Sequence, residues 1–313
     1  MPKPIMCSDA NLAKDLTGKS YVVTGATSGI GLALAKQLAK QKAHVVMGCR
    51  NMDAANEIAS AISHETGNQN VQALALDLGS LDSVRAFAAE LAKITNTLDG
   101  LVNNAGVMNT PKGKTSDGFE TQFGVNHLGP FLLTELLLPL LKKGAPSRIV
   151  HTSSVLHEQG VIDFADPHFE TRKYSGFQSY NQSKLAIVMY AKHQAKQLAG
   201  TGVSSFSIHP GWAQSNLAKN TMPLVFQNVI LKPLLKMAGM ISSWESAQPA
   251  LHILLDDGAI GHEGAYYSQV SPLYKTKADK AGGFPLTTRN KAIDDEAQCE
   301  RLYHMSQEMV GLK

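Results

Sequence analysis

Tyr21-Val22-Val23-Thr24-Gly25-Ala26-Thr27-Ser28-Gly29-Ile30-Gly31 is the stretch that decides how this chain folds. Its first three residues are aromatic and β-branched, the make-up of a short buried strand. Beyond Gly31, Leu32, Ala35, Leu38 and Ala39 recur at helical spacing. The order is strand, glycine-rich turn, helix. Glycines meet two needs there: backbone angles closed to other residues, and close approach of a bulky anion. The N–H groups that open the helix then face that anion, as at a pyrophosphate site. A tight turn alone would explain the glycines, but their place between a strand and a helix favours a dinucleotide.

The same alternation continues downstream. His44–Cys49 reads as a second strand, followed by Arg50 and a helix over Ala54–Ser63. A dinucleotide unit places an acid near this strand end for a ribose 2′-OH, or an arginine for a 2′-phosphate. Asp53 sits better in the first turn of the next helix, so Arg50 argues for NADP(H). Val71–Leu76 closes on Asp77-Leu78. Ser80 can cap a helix with Leu81, Val84, Phe87, Ala88 and Leu91 on its apolar face. Leu98–Val102 leads into Asn103-Asn104-Ala105-Gly106. Arg148–Ser154 ends in two hydroxyls, Val203–Ile208 ends in His209-Pro210-Gly211, and Gly264–Tyr267 reads as the last strand. Such a series predicts an α/β fold with a parallel sheet covered by helices on both faces. No composition break marks a linker. The expected organisation is a polar arm over 1–17, one domain over 18–270 and an extension over 271–313 packed on it. Met222–Met240 is apolar and proline-interrupted, either a buried helix pair or a lid (about 212–241) over an apolar substrate.

Tyr180 and Lys184 lie one helical turn apart, on one face. A phenol titrates near 10, too high to serve as acid or base at neutral pH. A cation one turn away favours the phenolate and lowers that value. Surface pairs of this kind are common, so the pair gains meaning only from its surroundings.

Composition narrows the function classes. The chain has 313 residues, 43% hydrophobic and 18% charged, with a formal charge of +3. Charge this small and dispersed, without a basic stripe, gives no basis for nucleic-acid binding. Cys7, Cys49 and Cys299 are too few and too far apart for a disulfide framework or a zinc site, which suits a reducing compartment. Met1 to Gly18 lacks the apolar run of a signal or anchor, and the apolar segments fall short of the ~20 residues of a membrane span. A soluble, cytoplasmic protein without a membrane span is expected. The histidines show no metal-ligand pairing, so no metal is expected; His127 reads as structural. Asp256-Asp257 reads as a turn before Gly258.

Thr24-Gly25-x-x-x-Gly29-x-Gly31, Asn103-Asn104-Ala105-Gly106, Asn126, Ser154, Tyr180-x-x-x-Lys184 and Pro210-Gly211 together resemble the short-chain dehydrogenase/reductase family, over roughly Thr17 to Tyr267. Asp117–Glu120, Gln122–Gly129, the long insertion between Ser154 and Tyr180, and Glu300–Tyr303 resemble its retinol-dehydrogenase-like branch. The resemblance implies a single-domain Rossmann-type doubly wound parallel sheet. It implies that Tyr180 is the general acid/base, that Lys184 lowers its pKa and binds ribose, that Ser154 holds the substrate oxygen, and that Asn126 holds a water of a proton relay. Ser153 is the neighbour with which Ser154 can be confused. Gly25, Thr27, Ser28, Gly29, Ile30 and Gly31 would hold pyrophosphate, and Asp77 and Leu78 the adenine. Asn104, Ala105 and Gly106 would approach ribose, and Pro210, Gly211 and Ser215 the nicotinamide side.

The implied activity is NADP(H)-dependent interconversion of a lipophilic carbonyl and its alcohol, with a homodimer through the helices Phe131–Lys143 and Tyr180–Gly200. Pro130, where the branch tends to have histidine, and the lack of the amino-terminal membrane segment of animal retinol enzymes count against retinol itself. Two alternatives share these residues in whole or part: a light-dependent protochlorophyllide-type reductase and a non-catalytic dinucleotide-binding scaffold.

Overall fold

The computed structural model describes residues 2–213 and 239–313. Seven parallel strands form one sheet: β1 (Ser20–Thr24), β2 (His44–Cys49), β3 (Val71–Ala75), β4 (Gly100–Asn103), β5 (Ser147–Thr152), β6 (Val203–His209) and β7 (Tyr266–Ser268). Their order is β3-β2-β1-β4-β5-β6-β7. The order reverses between β1 and β4, and the crevice outside their carboxyl ends is where open sheets of this kind bind ligands. The doubly wound α/β architecture expected from the alternation is the one observed.

Seven longer helices cover the sheet: α1 (Gly29–Lys40), α2 (Met52–Thr66), α3 (Leu81–Ile94), α4 (Gly129–Lys143), α5 (Gly176–Gln197), α6 (Ser243–Leu255) and α7 (Glu296–Met309). On one face Leu34 and Leu38 of α1, Ile62 of α2 and Leu251 of α6 pack on Val23, Met47, Val102 and Phe206. On the other, Phe87 of α3, Phe131 of α4, Met189 of α5 and Leu302 of α7 pack on Val22, Val46, Leu101 and Ile149. Both cores are continuous apolar layers, which is why the central strands read as apolar runs rather than as alternation. Local signals set the helix starts. Asn51 accepts from the Ala54 N–H, leaving Asp53 in the first turn of α2, and Ser80 accepts from the Ser83 N–H.

The helical run Thr121–Lys143 is long and apolar enough to cross a membrane, but most of it is buried inside this fold. It is a core helix, and near its start Gly124–Leu128 is a single π-helical turn. Outside the central unit, the arm is tied down by Cys7 N–H to Gln248 Oε1 (3.0 Å) and by Ile5, which exchanges hydrogen bonds with the Gln269 amide. The carboxyl-terminal α7 lies on α4 and α5, where Tyr303 packs its ring against Phe131, Tyr190 and His193. A homodimer through α4 and α5 would therefore have to use surface that α7 leaves open. Ala213 and Ile241 pair as an isolated bridge. Ser215 and all of Met222–Met240 except its last two residues lie outside the described residues.

Candidate active site

The glycine-rich turn hangs between β1 and α1. Gly25 and Gly29 adopt φ of +67° and +57°, values open to glycine and strained for other residues. Gly31 solves a different problem: a Cβ there would stand 2.4 Å from the Gly25 carbonyl oxygen and 2.7 Å from Asn104 Nδ2. Helix α1 can approach the loop this closely only with glycine at that position. Ser28 precedes the helix but makes no side-chain cap. Thr27 is half-buried, Ile30 is buried, and the buried Cys49 thiol lies against the backbone N–H groups of Ala26 and Thr27. The Asn104-Ala105-Gly106 turn is stapled to this loop: Asn104 and Ala105 N–H both donate to Thr24 Oγ1 at 3.0 Å, and Asn104 Nδ2 donates to the Thr24 carbonyl at 2.9 Å. The result is a glycine-lined cradle across the β1/β4 switch, with exposed Arg50 just beyond β2 at its edge. Asp77 closes β3 through an Asx turn in which Oδ1 accepts from the Gly79 N–H at 2.8 Å, and Leu78 is buried beside Gly129. On the far side, Gly211 has φ +81° and leaves no room for a Cβ against Ile241 and Val270, placing Pro210-Gly211 at the end of β6.

The reacting groups gather at the end of β5. Tyr180 and Lys184, both on α5, are buried, with Lys184 Nζ 5.6 Å from the centre of the tyrosine ring. The Tyr180 phenol lies beside the Ser154 side chain. Lys184 Nζ donates to the Thr152 carbonyl at 2.9 Å. Geometry separates the two serines. Ser153 Oγ donates to the backbone carbonyl of Lys184 at 2.7 Å, whereas Ser154 faces Tyr180 and also accepts from the Leu156 N–H, starting the 3-10 turn Val155–Gln159.

Asn126 sits in the π turn with its amide engaged on both atoms. Oδ1 accepts from the Val107 N–H (2.8 Å), and Nδ2 donates to the Val107 carbonyl (2.9 Å) and to Ser183 Oγ (3.0 Å). Ser183 in turn donates to the Tyr180 carbonyl at 2.8 Å. Gly106 fits between: a Cβ there would be 2.9 Å from Asn126 Oδ1 and 3.6 Å from Lys184 Nζ. Thus the structure brings Asn126, Ser154, Tyr180 and Lys184 together beside Gly106. Thr152 and Ser183 belong to the same cluster and were not expected from sequence. Their hydroxyl and carbonyl groups are too ordinary to be singled out before the fold places them.

The electrostatics depart from expectation. Burial pushes the Tyr180 phenol up to about 12, opposed by the Ser154 side chain. Burial draws Lys184 down to about 7. The expected lowering of the tyrosine by its lysine is not found in the protein alone, because the lysine is itself desolvated and its cation is disfavoured. His127 is buried, hydrogen-bonded through Nε2 to Ser306 Oγ at 2.8 Å, and drawn by desolvation to about 3, in keeping with a structural residue. Asp256 Oδ1 accepts from the Gly258 N–H, which makes the Asp256-Asp257 pair a turn. Among the described residues no three histidine, cysteine or carboxylate side chains cluster as a metal site.

The chain belongs to the short-chain dehydrogenase family, whose family model matches residues 19–223. It is an oxidoreductase of that type. It is 40% identical over 301 residues to retinol dehydrogenase 13 of Homo sapiens, covering 95% of this chain and 86% of that protein. It is 40% identical to human retinol dehydrogenase 12, covering 95% and 88%. Among solved structures, a protein from Mycobacterium Paratuberculosis superposes with a TM-score of 0.76 at 28% identity, covering 99% of this chain and 98% of that one. The RhlG/NADP active-site complex of Pseudomonas aeruginosa matches with a TM-score of 0.64 at 25% identity, covering 81% and 95%.

Proposed function

We propose that this protein interconverts a lipophilic aldehyde or ketone and its alcohol with NADP(H). The observation that carries the reading is the juxtaposition of Tyr180 and Ser154, with Lys184 one turn further on, beside the glycine-rich cradle. The cradle fits a dinucleotide because Gly25 and Gly29 hold the left-handed turn and Gly31 lets the start of α1 pack closely against it, the arrangement that presents helix N–H groups to a pyrophosphate. Arg50 at the β2 end supports a 2′-phosphate, and the similar RhlG structure is titled as an NADP complex. The names of the retinol dehydrogenase relatives support a lipophilic alcohol or carbonyl, retinoids among them. The cysteines are unpaired, which supports a reducing compartment such as the cytoplasm.

A bound nicotinamide supplies or takes the hydride. In reduction, Ser154 and Tyr180 hydrogen-bond the carbonyl oxygen. As negative charge develops there, the oxygen takes the Tyr180 proton, and Lys184 restores a proton to the phenolate. Oxidation runs these transfers backwards. Asn126, with its amide spent on Val107 and Ser183, fixes the loop and the helix between which Lys184 projects; a relay water would need another acceptor. At neutral pH the free protein holds the Tyr180 phenol protonated, the form that donates in the reduction direction.

The test is Tyr180→Phe in the full chain, with turnover of a lipophilic aldehyde and NADPH binding measured separately. Turnover should vanish while binding persists. Retained turnover would reject the mechanism.

A further inference from the structure

Behind the reacting groups, on the sheet side of α4, lies a small space bounded in part by Asn103, Asn126, His127, His151, Thr152 and Tyr190. It offers about 10 Å³ to the centre of a water molecule, room for one and no more. Three of these residues carry a buried polar atom without a hydrogen-bond partner among the described residues: Asn103 Oδ1, His127 Nδ1 and Thr152 Oγ1. Buried polar atoms are costly to leave unmet, so three around one cavity point to an occupant.

The surrounding hydrogen bonds fix what each atom offers. Ser306 donates its own proton to the Leu302 carbonyl (2.8 Å), so at His127 it can only accept. His127 Nε2 therefore carries the proton and Nδ1 is a bare acceptor. Thr134 donates to the Pro130 carbonyl (2.7 Å) and so accepts from Asn103 Nδ2 (2.8 Å), which leaves Asn103 Oδ1 as a second bare acceptor. The same Asn103 amide also meets His151 Nδ1 at 3.2 Å, while His151 Nε2 meets Gln194 Oε1 at 3.2 Å, so His151 is satisfied on both sides. Thr152 Oγ1 has a proton to give. Two acceptors and one hydroxyl donor, with no formal charge among the six residues named, match one neutral molecule with two protons and a lone pair.

We propose that this cavity binds a single structural water, which donates to Asn103 Oδ1 and His127 Nδ1, accepts from Thr152 Oγ1, and locks the π turn to the end of β5. Its three partners do not include the Asn126 side chain, whose amide is directed to Val107 and Ser183. Its role rests on the proposed function. The turn it holds carries Asn126, and the strand end it holds carries the Thr152 carbonyl to which Lys184 is anchored. His127 and Thr152 are thus positioning residues for proton delivery. Through Ser306, the water also connects α7 to the site.

The test is a crystal structure of the full chain with NADPH at a resolution that shows waters, joined to the kinetics of Thr152→Val and Thr152→Ser. Density is expected within hydrogen-bonding distance of all three atoms; a dry cavity overturns the site. Thr152→Val keeps the shape and the carbonyl but removes one of the water's three bonds, and should lower kcat for carbonyl reduction about fivefold, the worth of one such bond. It should leave the NADPH Kd unchanged, shift the pH midpoint of kcat, and be rescued by Thr152→Ser. A Thr152→Val enzyme with parental kcat and pH profile overturns the positioning role. If Tyr180→Phe stays active while the density is present, the site stands and the functional reading falls.

Discussion

Ser153 gives its hydroxyl proton to the main-chain carbonyl of Lys184, 2.7 Å away, and so joins β5 to α5 from beneath the reacting groups. Its neighbour Ser154 turns the other way, to Tyr180. Two adjacent serines therefore divide scaffold and chemistry between them. Ser153→Ala should cost about 0.5–1.5 kcal/mol of stability by removing a buried hydrogen bond that ties β5 to α5. Ser154→Ala should lower kcat about a hundredfold, as loss of one oriented donor at a developing oxyanion does, with a stability loss of only about 1 kcal/mol from the lost cap on the 3-10 turn. Thermal melts and steady-state kinetics on both variants separate the effects. The reverse assignment would show as a collapse of kcat in Ser153→Ala.

Lys184 sets a pH dependence whose sign follows from its burial. Its ordinary value of 10.5 is drawn down to about 7, so the cation prevails below that pH and the neutral amine above it. Tyr180 stays protonated to about 12. Reduction consumes a proton that Lys184 relays, so kcat for reduction should fall as pH rises through about 7. Rates at saturating NADPH and carbonyl from pH 5.5 to 9.5 check this, and a flat profile would remove Lys184 from proton delivery.

Arg50 is exposed at the edge of the cradle, directly after β2, while Asp53 is held in the first turn of α2. Arg50→Ala should weaken NADPH binding by roughly ten- to a hundredfold, the worth of a charge-assisted hydrogen bond, and leave NADH binding nearly unchanged. Titration with both nucleotides decides it. Equal affinities in the unaltered chain would refute the NADP(H) assignment.

Gly106 separates the cofactor cradle from the relay. In Gly106→Ala the methyl would meet Asn126 Oδ1 at 2.9 Å, and that amide cannot retreat without breaking its bonds to Val107 and Ser183. Displacement of Asn126 and Lys184 should lower kcat about a hundredfold, the scale of an ångström-sized misplacement, while the fold is retained. Circular dichroism together with turnover distinguishes this from unfolding.

The sheet could be read from the chain because its strands are buried on both faces and end in small residues. His44–Cys49 was legible to its last residue, and the glycine turn was bounded by periodicity on either side. Elsewhere, local signals were quieter. The strand read as Arg148–Ser154 ends at Thr152; Ser153 N–H still donates to the Ile208 carbonyl of β6 at 2.7 Å, and Ser154 turns away to start the 3-10 turn. Helix α5 begins at Gly176, capped by Ser175, ahead of Tyr180, since its polar first turn shows no apolar stripe. The π turn around Asn126 has no sequence period of its own. Asn290, in a tail that reads only as turn-rich, clamps the carbonyls of His157 and Gly160, just after Ser154. The partner of His127, Ser306, lies 179 residues away, a separation that no local pattern bridges.

That last contact has a thermodynamic meaning. Helix α7 touches the π turn through His127 and Ser306, and the turn holds the loop at Val107 beside Gly106. Any ligand that binds more tightly when this loop is ordered must, by linkage, also bind more tightly when α7 is docked, and docking of α7 must favour that ligand by the same factor. Occupancy of the crevice and order at the far end of the chain are then two readings of one equilibrium.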